Sequence, residues 1–84
     1  MVYNFKYLRV LKRAKVDLQM ASIICQVLSD DTLERLTHKN GIHIDLIVPI
    51  LNKAEQMYGR ISDESVNAIL DNQNEITKMM TLYL

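Results

Sequence analysis

The chain has 84 residues, of which 49% are hydrophobic and 24% charged, and its formal net charge is zero. The apolar fraction excludes an intrinsically disordered chain, and two glycines with one proline are too few turn residues for a β-sandwich or barrel. The single cysteine excludes an internal disulfide and favours a reducing, cytoplasmic location. No secretory signal is recognisable, and the most apolar window, residues 16–28, is too short to span a bilayer. We therefore expect one all-α domain over residues 1–84.

The first third of the chain carries a stripe of apolar and small residues that are spaced alternately by four and three, as on one face of a helix. This spacing predicts a single helix of ~20–24 residues, or ~30–36 Å at ~1.5 Å per residue. A compact domain of this size has a diameter of only about 30 Å. The helix would then span or overhang the domain, and another chain would cover the overhang. The stripe consists of Tyr7, Leu11, Ala14, Leu18, Ala21, Cys25 and Leu28.

This long helix predicts a dimer or higher homo-oligomer, because the core of so small a monomer is thin. A second apolar stripe, formed by Val16, Met20, Ile23 and Val27, lies beside the first. A helix that is apolar on several sides is either central in its own core or covered by a partner. The residues expected at the oligomer interface are Tyr7, Leu11, Ala14, Leu18 and Ala21.

The middle of the chain predicts two further helices. Asp31, with Glu34 three residues later, resembles a capping box and predicts a short helix over residues 32–39. Asn40–Gly41 is typical of the left-handed turn that ends such a helix. A longer helix should follow and end at Gly59.

The segment 42–58 fits two interpretations. Apolar residues alternate in its first half, as in a strand, but an apolar stripe with helical spacing continues through the whole segment. Length therefore favours a helix that Asp45 caps, with Pro49 in its first turn, where the missing N–H matters least. Aromatic residues also alternate near the N-terminus. The alternative is therefore an α+β fold with a short strand pair from residues 2–7 and 42–48.

The fourth and last predicted helix covers residues 63–82. Ser62 is a good N-cap, and two acidic residues follow it in the first turn, where the helix dipole favours negative charge. Met79 and Leu82 lie beside the main stripe, so we expect them to be partly exposed and to bind a partner. The inward stripe itself should be Val66, Ile69, Gln73, Ile76, Met80 and Tyr83.

Two short segments resemble a known family. Tyr7-Leu8-x-x-Leu11-x-Arg13 and Asp31-Thr-Leu-Glu-Arg-Leu36, the latter followed by Lys39-Asn40, are similar to stretches of the small helical Hha-type proteins, which modulate a nucleoid repressor. Those stretches lie closer together in that family, and the later chain does not follow it clearly. The resemblance therefore implies no site in this chain.

Motifs that carry chemistry are sparse. His38 and His43 flank a turn, but two histidines do not supply the three or four convergent ligands of a zinc site. Cys25 lies on the helical stripe and should pack as a small buried thiol. No nucleophile–base pair, glycine-rich loop or metalloprotease motif is present. We therefore expect no enzyme activity, no metal and no cofactor, and favour a protein-binding regulator, inhibitor or assembly factor.

The charges are segregated along the chain, which leaves a second function open. Residues 1–28 carry five basic residues and one acidic residue, a net charge of +4, while residues 29–84 carry five basic and nine acidic residues, a net charge of −4. The two parts could attract each other, within one chain or between two. A basic helix face could instead bind nucleic acid without reading sequence; its expected phosphate contacts are Lys6, Arg9, Lys12 and Arg13. No membrane partner is expected.

Overall fold

The computed structural model describes residues 5–38 and 43–83, with the side chains of Phe5, His38 and Tyr83 left out. All regular structure within these ranges is helical, which confirms the all-α prediction. The alternative strands are wrong for residues 5–7 and 43–48, whereas residues 2–4 and 42 lie outside the described ranges.

Residues 5–38 and 43–83 form six α-helices where four were predicted, because two of the predicted helices are each divided by a break. A short 3₁₀ turn, Ile44–Leu46, also precedes the fourth helix. In chain order the helices are α1 (Phe5–Arg13), α2 (Leu18–Val27), α3 (Asp30–His38), α4 (Ile47–Tyr58), α5 (Asp63–Asp71) and α6 (Gln73–Tyr83).

The long N-terminal helix is a wrong prediction, because the chain turns between α1 and α2. Lys15 adopts the left-handed conformation, with φ of 67°. Its N–H donates to the carbonyl of Lys12 and the next N–H, that of Val16, to the carbonyl of Leu11, both at 3.0 Å. This pair of bonds forms a Schellman motif, which satisfies the last carbonyls of α1. Asp17 then caps α2, its carboxylate accepting the N–H of Met20 at 2.8 Å.

Replacing Lys15 by Gly is expected to raise the free energy of unfolding by ~0.5–1 kcal/mol. The left-handed conformation costs a residue with a Cβ ~1–2 kcal/mol, and the extra freedom of glycine when unfolded offsets part of that gain. Lys12→Gly, inside α1, should instead lose about 1 kcal/mol. Urea unfolding followed by circular dichroism measures both. Equal losses at the two positions would contradict the turn.

The predicted C-terminal helix is also divided, at Asn72 between α5 and α6. The side-chain oxygen of Asn72 accepts the N–H of Glu75 at 3.2 Å, as an N-cap of α6. Ser62 caps α5 as predicted, and it forms a reciprocal capping box with Ser65. Gly59 ends α4 as predicted, with φ of 81°.

The starts of α3 and α4 differ in detail from the prediction. Ser29, not Asp31, caps α3, its Oγ accepting the N–H of Thr32 at 3.3 Å. Asp45 lies within the 3₁₀ turn, which His43 caps through Nδ1. Pro49 occupies the first turn of α4, as predicted. The predicted stop at Asn40–Gly41 lies outside the described residues.

The core is one cluster to which every α-helix contributes. α5 packs against α3, α4 and α6, whereas α1 packs against α2 and α3. The largest side chains that are fully or almost fully buried come from five of the six α-helices and from the 3₁₀ turn: Leu11, Ile24, Leu33, Leu36, Leu46, Ile47, Ile50, Val66 and Ile69.

A chain of polar contacts joins α3 to α5. The Asn67 amide donates to Thr32 Oγ1 at 3.0 Å, and Arg35 donates to the Asn67 side-chain oxygen at 2.7 Å and pairs with Asp71. At the other end, Asp63 accepts the N–H of Ser29 at 2.8 Å. That hydrogen bond holds the pKa of Asp63 below its usual value.

Candidate interaction surface

One face of α2 exposes a row of apolar side chains, which we call the α2 stripe: Met20, Ile23 and Val27. At ~100° per residue, the three positions fall within an arc of about 60°. Their exposed fractions are 37%, 46% and 48%. Ala21 and Ile24 are fully buried and anchor the helix to the core from another side. Contiguous exposed apolar groups of this kind mark interaction sites more often than isolated ones do.

The helix that carries the α2 stripe is itself uncharged. No residue from Leu18 to Val27 is acidic or basic, and exposed Gln19 and Gln26 lie beside the stripe. Interface centres are typically depleted in charge and enriched in methionine. Arg13, Lys15 and Asp17 precede α2, and Asp30 and Asp31 follow it, so the net charge is positive before the helix and negative after it.

A cleft of about 200 Å³ extends the apolar surface from Met20 towards α4. The cleft is smaller than the ~300–1,000 Å³ of typical small-molecule pockets. It therefore adds apolar contact area to the stripe rather than a ligand cavity. Its apolar lining consists of Val16, Met20, Val48, Leu51 and Ile61, accompanied by Lys15, Asp17, Asn52 and Glu55.

Four of the five residues expected at an oligomer interface are core residues of the single chain. Tyr7, Leu11, Ala14 and Ala21 are at most 8% exposed, so a second copy cannot reach them. Leu18 is 62% exposed, but it lies about 180° around α2 from Val27 and is not part of the stripe. The turn at Lys15 is the reason, since it folds both halves of the predicted stripe onto one core.

The basic face predicted on α1 is present on the surface. Lys6, Arg9, Lys12 and Arg13 are all exposed. The Lys6 ammonium lies 3.4 Å from the Glu34 carboxylate on α3. This ion pair is one attraction between the basic and acidic parts of the sequence that forms within a single chain. Among the described residues, no ion pair involves Arg9, Lys12 or Arg13.

Tyr7 connects this region to the core. Its ionisation makes the free energy of unfolding decrease at alkaline pH. Its hydroxyl donates to Glu34 at 2.7 Å. That hydrogen bond, with burial and the charge of Glu34, raises the pKa of Tyr7 from 10.0 to about 12. The folded state thus favours the neutral phenol. The stabilisation is complete below pH 10 and is lost as the pH rises towards 12.

Tyr7→Phe is expected to lower the free energy of unfolding at neutral pH by about 1 kcal/mol. This deficit should shrink as the pH rises above about 10, where the wild-type chain loses its own contribution. Urea unfolding at a series of pH values measures the difference. Tyr58→Phe, at a site that is 52% exposed, is the matched control and should show neither effect.

The C-terminal helix places its side chains differently from the prediction. Met79, expected on the surface, is only 5% exposed, whereas Met80, expected in the core, is 41% exposed. The shift follows from the break at Asn72, which restarts the helical phase in α6. Leu82 is exposed as expected, at 77%. Val66, Ile69 and Ile76 are buried as predicted, Gln73 is exposed, and the side chain of Tyr83 is outside the description.

The next group consists of the residues that were expected to carry no chemistry. Cys25 is half-buried rather than buried, and desolvation raises the pKa of its thiol, which disfavours the reactive thiolate. The Nδ1 atom of His43 accepts the N–H of Asp45 at 3.1 Å. Within residues 5–38 and 43–83, no three potential ligands converge on a metal position. None of the described helices has the length and apolar character needed to cross a membrane.

Comparisons of the chain with protein-family models, with curated proteins and with solved structures found no match. The surface must therefore be interpreted from its own chemistry.

Proposed function

We propose that the protein is a small, non-catalytic protein–protein interaction module, which self-associates and acts in the cytoplasm as a regulator, inhibitor or assembly factor. The observation that carries this proposal is the α2 stripe, an exposed apolar row on a helix without charge. The adjoining cleft beside Met20 supports it, because it extends the same apolar surface.

The energy available from the stripe is sufficient to matter for binding. Full burial of an aliphatic side chain contributes ~1.5–3 kcal/mol, so three side chains that are already about half buried would gain ~2–4 kcal/mol together. This gain comes in addition to what the cleft and the polar flanks contribute. A partner that covered α2 would therefore bury apolar surface that the isolated chain leaves exposed, and this burial would contribute to the binding free energy.

Photo-crosslinking in the native host tests the proposal. A benzophenone side chain at position 23 should yield covalent adducts with protein, either a second copy or another chain. The control is the same group at position 57, where Met57 is 48% exposed on α4. If adducts at position 23 are no more abundant than adducts at position 57, the proposed function is wrong.

Nucleic-acid association is the second candidate function. The basic side chains of α1 that form no ion pair among the described residues favour it. Arg9, Lys12 and Arg13 could neutralise phosphates, and such binding weakens steeply with salt, with a slope of about −0.9 per phosphate contact. Arg9→Gln with Arg13→Gln should then reduce the slope by about 2, while Arg60→Gln, an exposed control on another segment, should not. DNA binding that is absent at low salt would exclude this candidate.

A further inference from the structure

We infer that two copies of this chain pair through their α2 helices, antiparallel, about a two-fold axis near Ile23. The inference rests on the proposed function and names a second copy as the occupant of the α2 stripe. Three independent properties of α2 support it: the spacing of the stripe, the absence of charge, and the signs of the charges at the two ends.

The spacing of the α2 stripe is close to symmetric. Met20 lies three residues before Ile23, and Val27 lies four residues after it. An antiparallel two-fold pair therefore brings Ile23 beside Ile23 of the partner subunit, and Met20 beside Val27 of the partner subunit. Such self-complementarity is what an isologous interface requires. The i, i+3, i+7 pattern is also the seam of paired helices.

The lack of charge on α2 permits a second copy to pack against it. A two-fold axis places a surface against itself, so that any charge near the axis would meet its own sign. All ten residues of α2 are uncharged.

The charges at the two ends of α2 select the antiparallel orientation. Exposed Arg13 and Lys15 precede the helix together with exposed Asp17, a net charge of +1, and exposed Asp30 and Asp31 follow it, a net charge of −2. Antiparallel pairing brings the basic end of one copy close to the acidic end of the other. Parallel pairing would bring like charges together, which destabilises an interface.

The stripe is small, so the pairing should depend on concentration. A stable interface takes ~20–30 residues from each partner, far more than the three side chains of the stripe. Since even interfaces of standard size can have only micromolar affinity, we expect mostly monomer at ~10 µM and mostly dimer at ~1 mM. Sedimentation velocity over this range measures the change.

Disulfide trapping tests the orientation and register. In a Cys25→Ala background, Ile23→Cys alone should oxidise to a covalent dimer, because the axis brings the two Cα atoms within the ~4.4–6.8 Å that a disulfide spans. Met20→Cys mixed with Val27→Cys should cross-link more than either variant alone. Leu82→Cys, 77% exposed on α6, reports random collision.

Each other outcome overturns the inference. Cross-linking of Met20→Cys alone as efficient as the mixture means parallel pairing. Cross-linking of Ile23→Cys at the level of Leu82→Cys means no pairing through α2. In that second case, adducts with another protein at position 23 would leave the protein-binding part of the proposed function intact, and their absence would remove that part as well.

A charge on the axis gives an independent readout. Ile23→Lys should remain monomeric at every concentration while its helical circular dichroism stays unchanged, since the side chain is 46% exposed in the single chain. Leu82→Lys should dimerise like the wild type. Dimerisation of Ile23→Lys at wild-type concentrations contradicts the inference.

Discussion

Met79→Ser is expected to lower the free energy of unfolding by ~2–5 kcal/mol, the range for truncated core side chains. Met79 is 5% exposed and belongs to the core cluster, so the change leaves a cavity with a hydroxyl beside it. Since a chain of this length has a total stability of about 4–12 kcal/mol, the variant should melt far below the wild type or fail to fold. Thermal and urea unfolding measure the loss.

Leu82→Ser is the matched control, three positions further along α6. Leu82 is 77% exposed, so the same type of change should cost less than ~0.5 kcal/mol. Comparable losses at the two positions would mean that α6 is rotated about its axis relative to the structure.

Leu11→Ala is expected to cost ~2–5 kcal/mol as well, whereas Leu18→Ala should cost less than ~0.5 kcal/mol. An unbroken helix would place both leucines, seven residues apart, on the same buried face. The turn at Lys15 instead leaves Leu11 at 0% and Leu18 at 62% exposure. Urea unfolding of the two variants therefore distinguishes the broken helix from the continuous one. Equal costs would contradict the break.

The helical class and most of the core could be predicted from the sequence, because burial periodicity depends on local spacing. Leu11, Ala21 and Leu28 are buried as the stripe requires. The first break was missed because Lys15 itself carries no turn signal, and the continuous apolar stripe outweighed Asp17, whose side chain caps α2. Lysine rarely adopts the left-handed conformation, and only the burial of both halves of the stripe on one core compensates for the strain.

The second break had a recognisable signal. Asn72 with Glu75 three residues later has the spacing of a helix start, and the structure uses Asn72 as the cap of α6. A continuous apolar stripe predicted one helix instead. The break rotates the buried face of α6, which exchanges the predicted roles of Met79 and Met80, while Ile76 is buried and Leu82 exposed as predicted.

The candidate surface was visible in the sequence as the second stripe, whose meaning stayed open. Met20, Ile23 and Val27 could have been core or contact, because periodicity shows that residues share a face and not what covers the face. The deciding information is the tertiary packing. Ala21 and Ile24 take the core positions, and the second stripe is left outside, except for Val16, which is 7% exposed.

The hydrogen bond from the Ser29 N–H to Asp63 couples two distant segments of the chain. The donor begins α3 and the acceptor begins α5, 34 residues apart. The hydrogen bond therefore ties the N-terminus of α3 to α5, in addition to the local cap that Ser29 Oγ provides. The Ser29 amide should be protected from hydrogen exchange while this bond is intact, and its exchange should accelerate when α3 and α5 separate. Its exchange rate thus reports how tightly the two halves of the molecule unfold together.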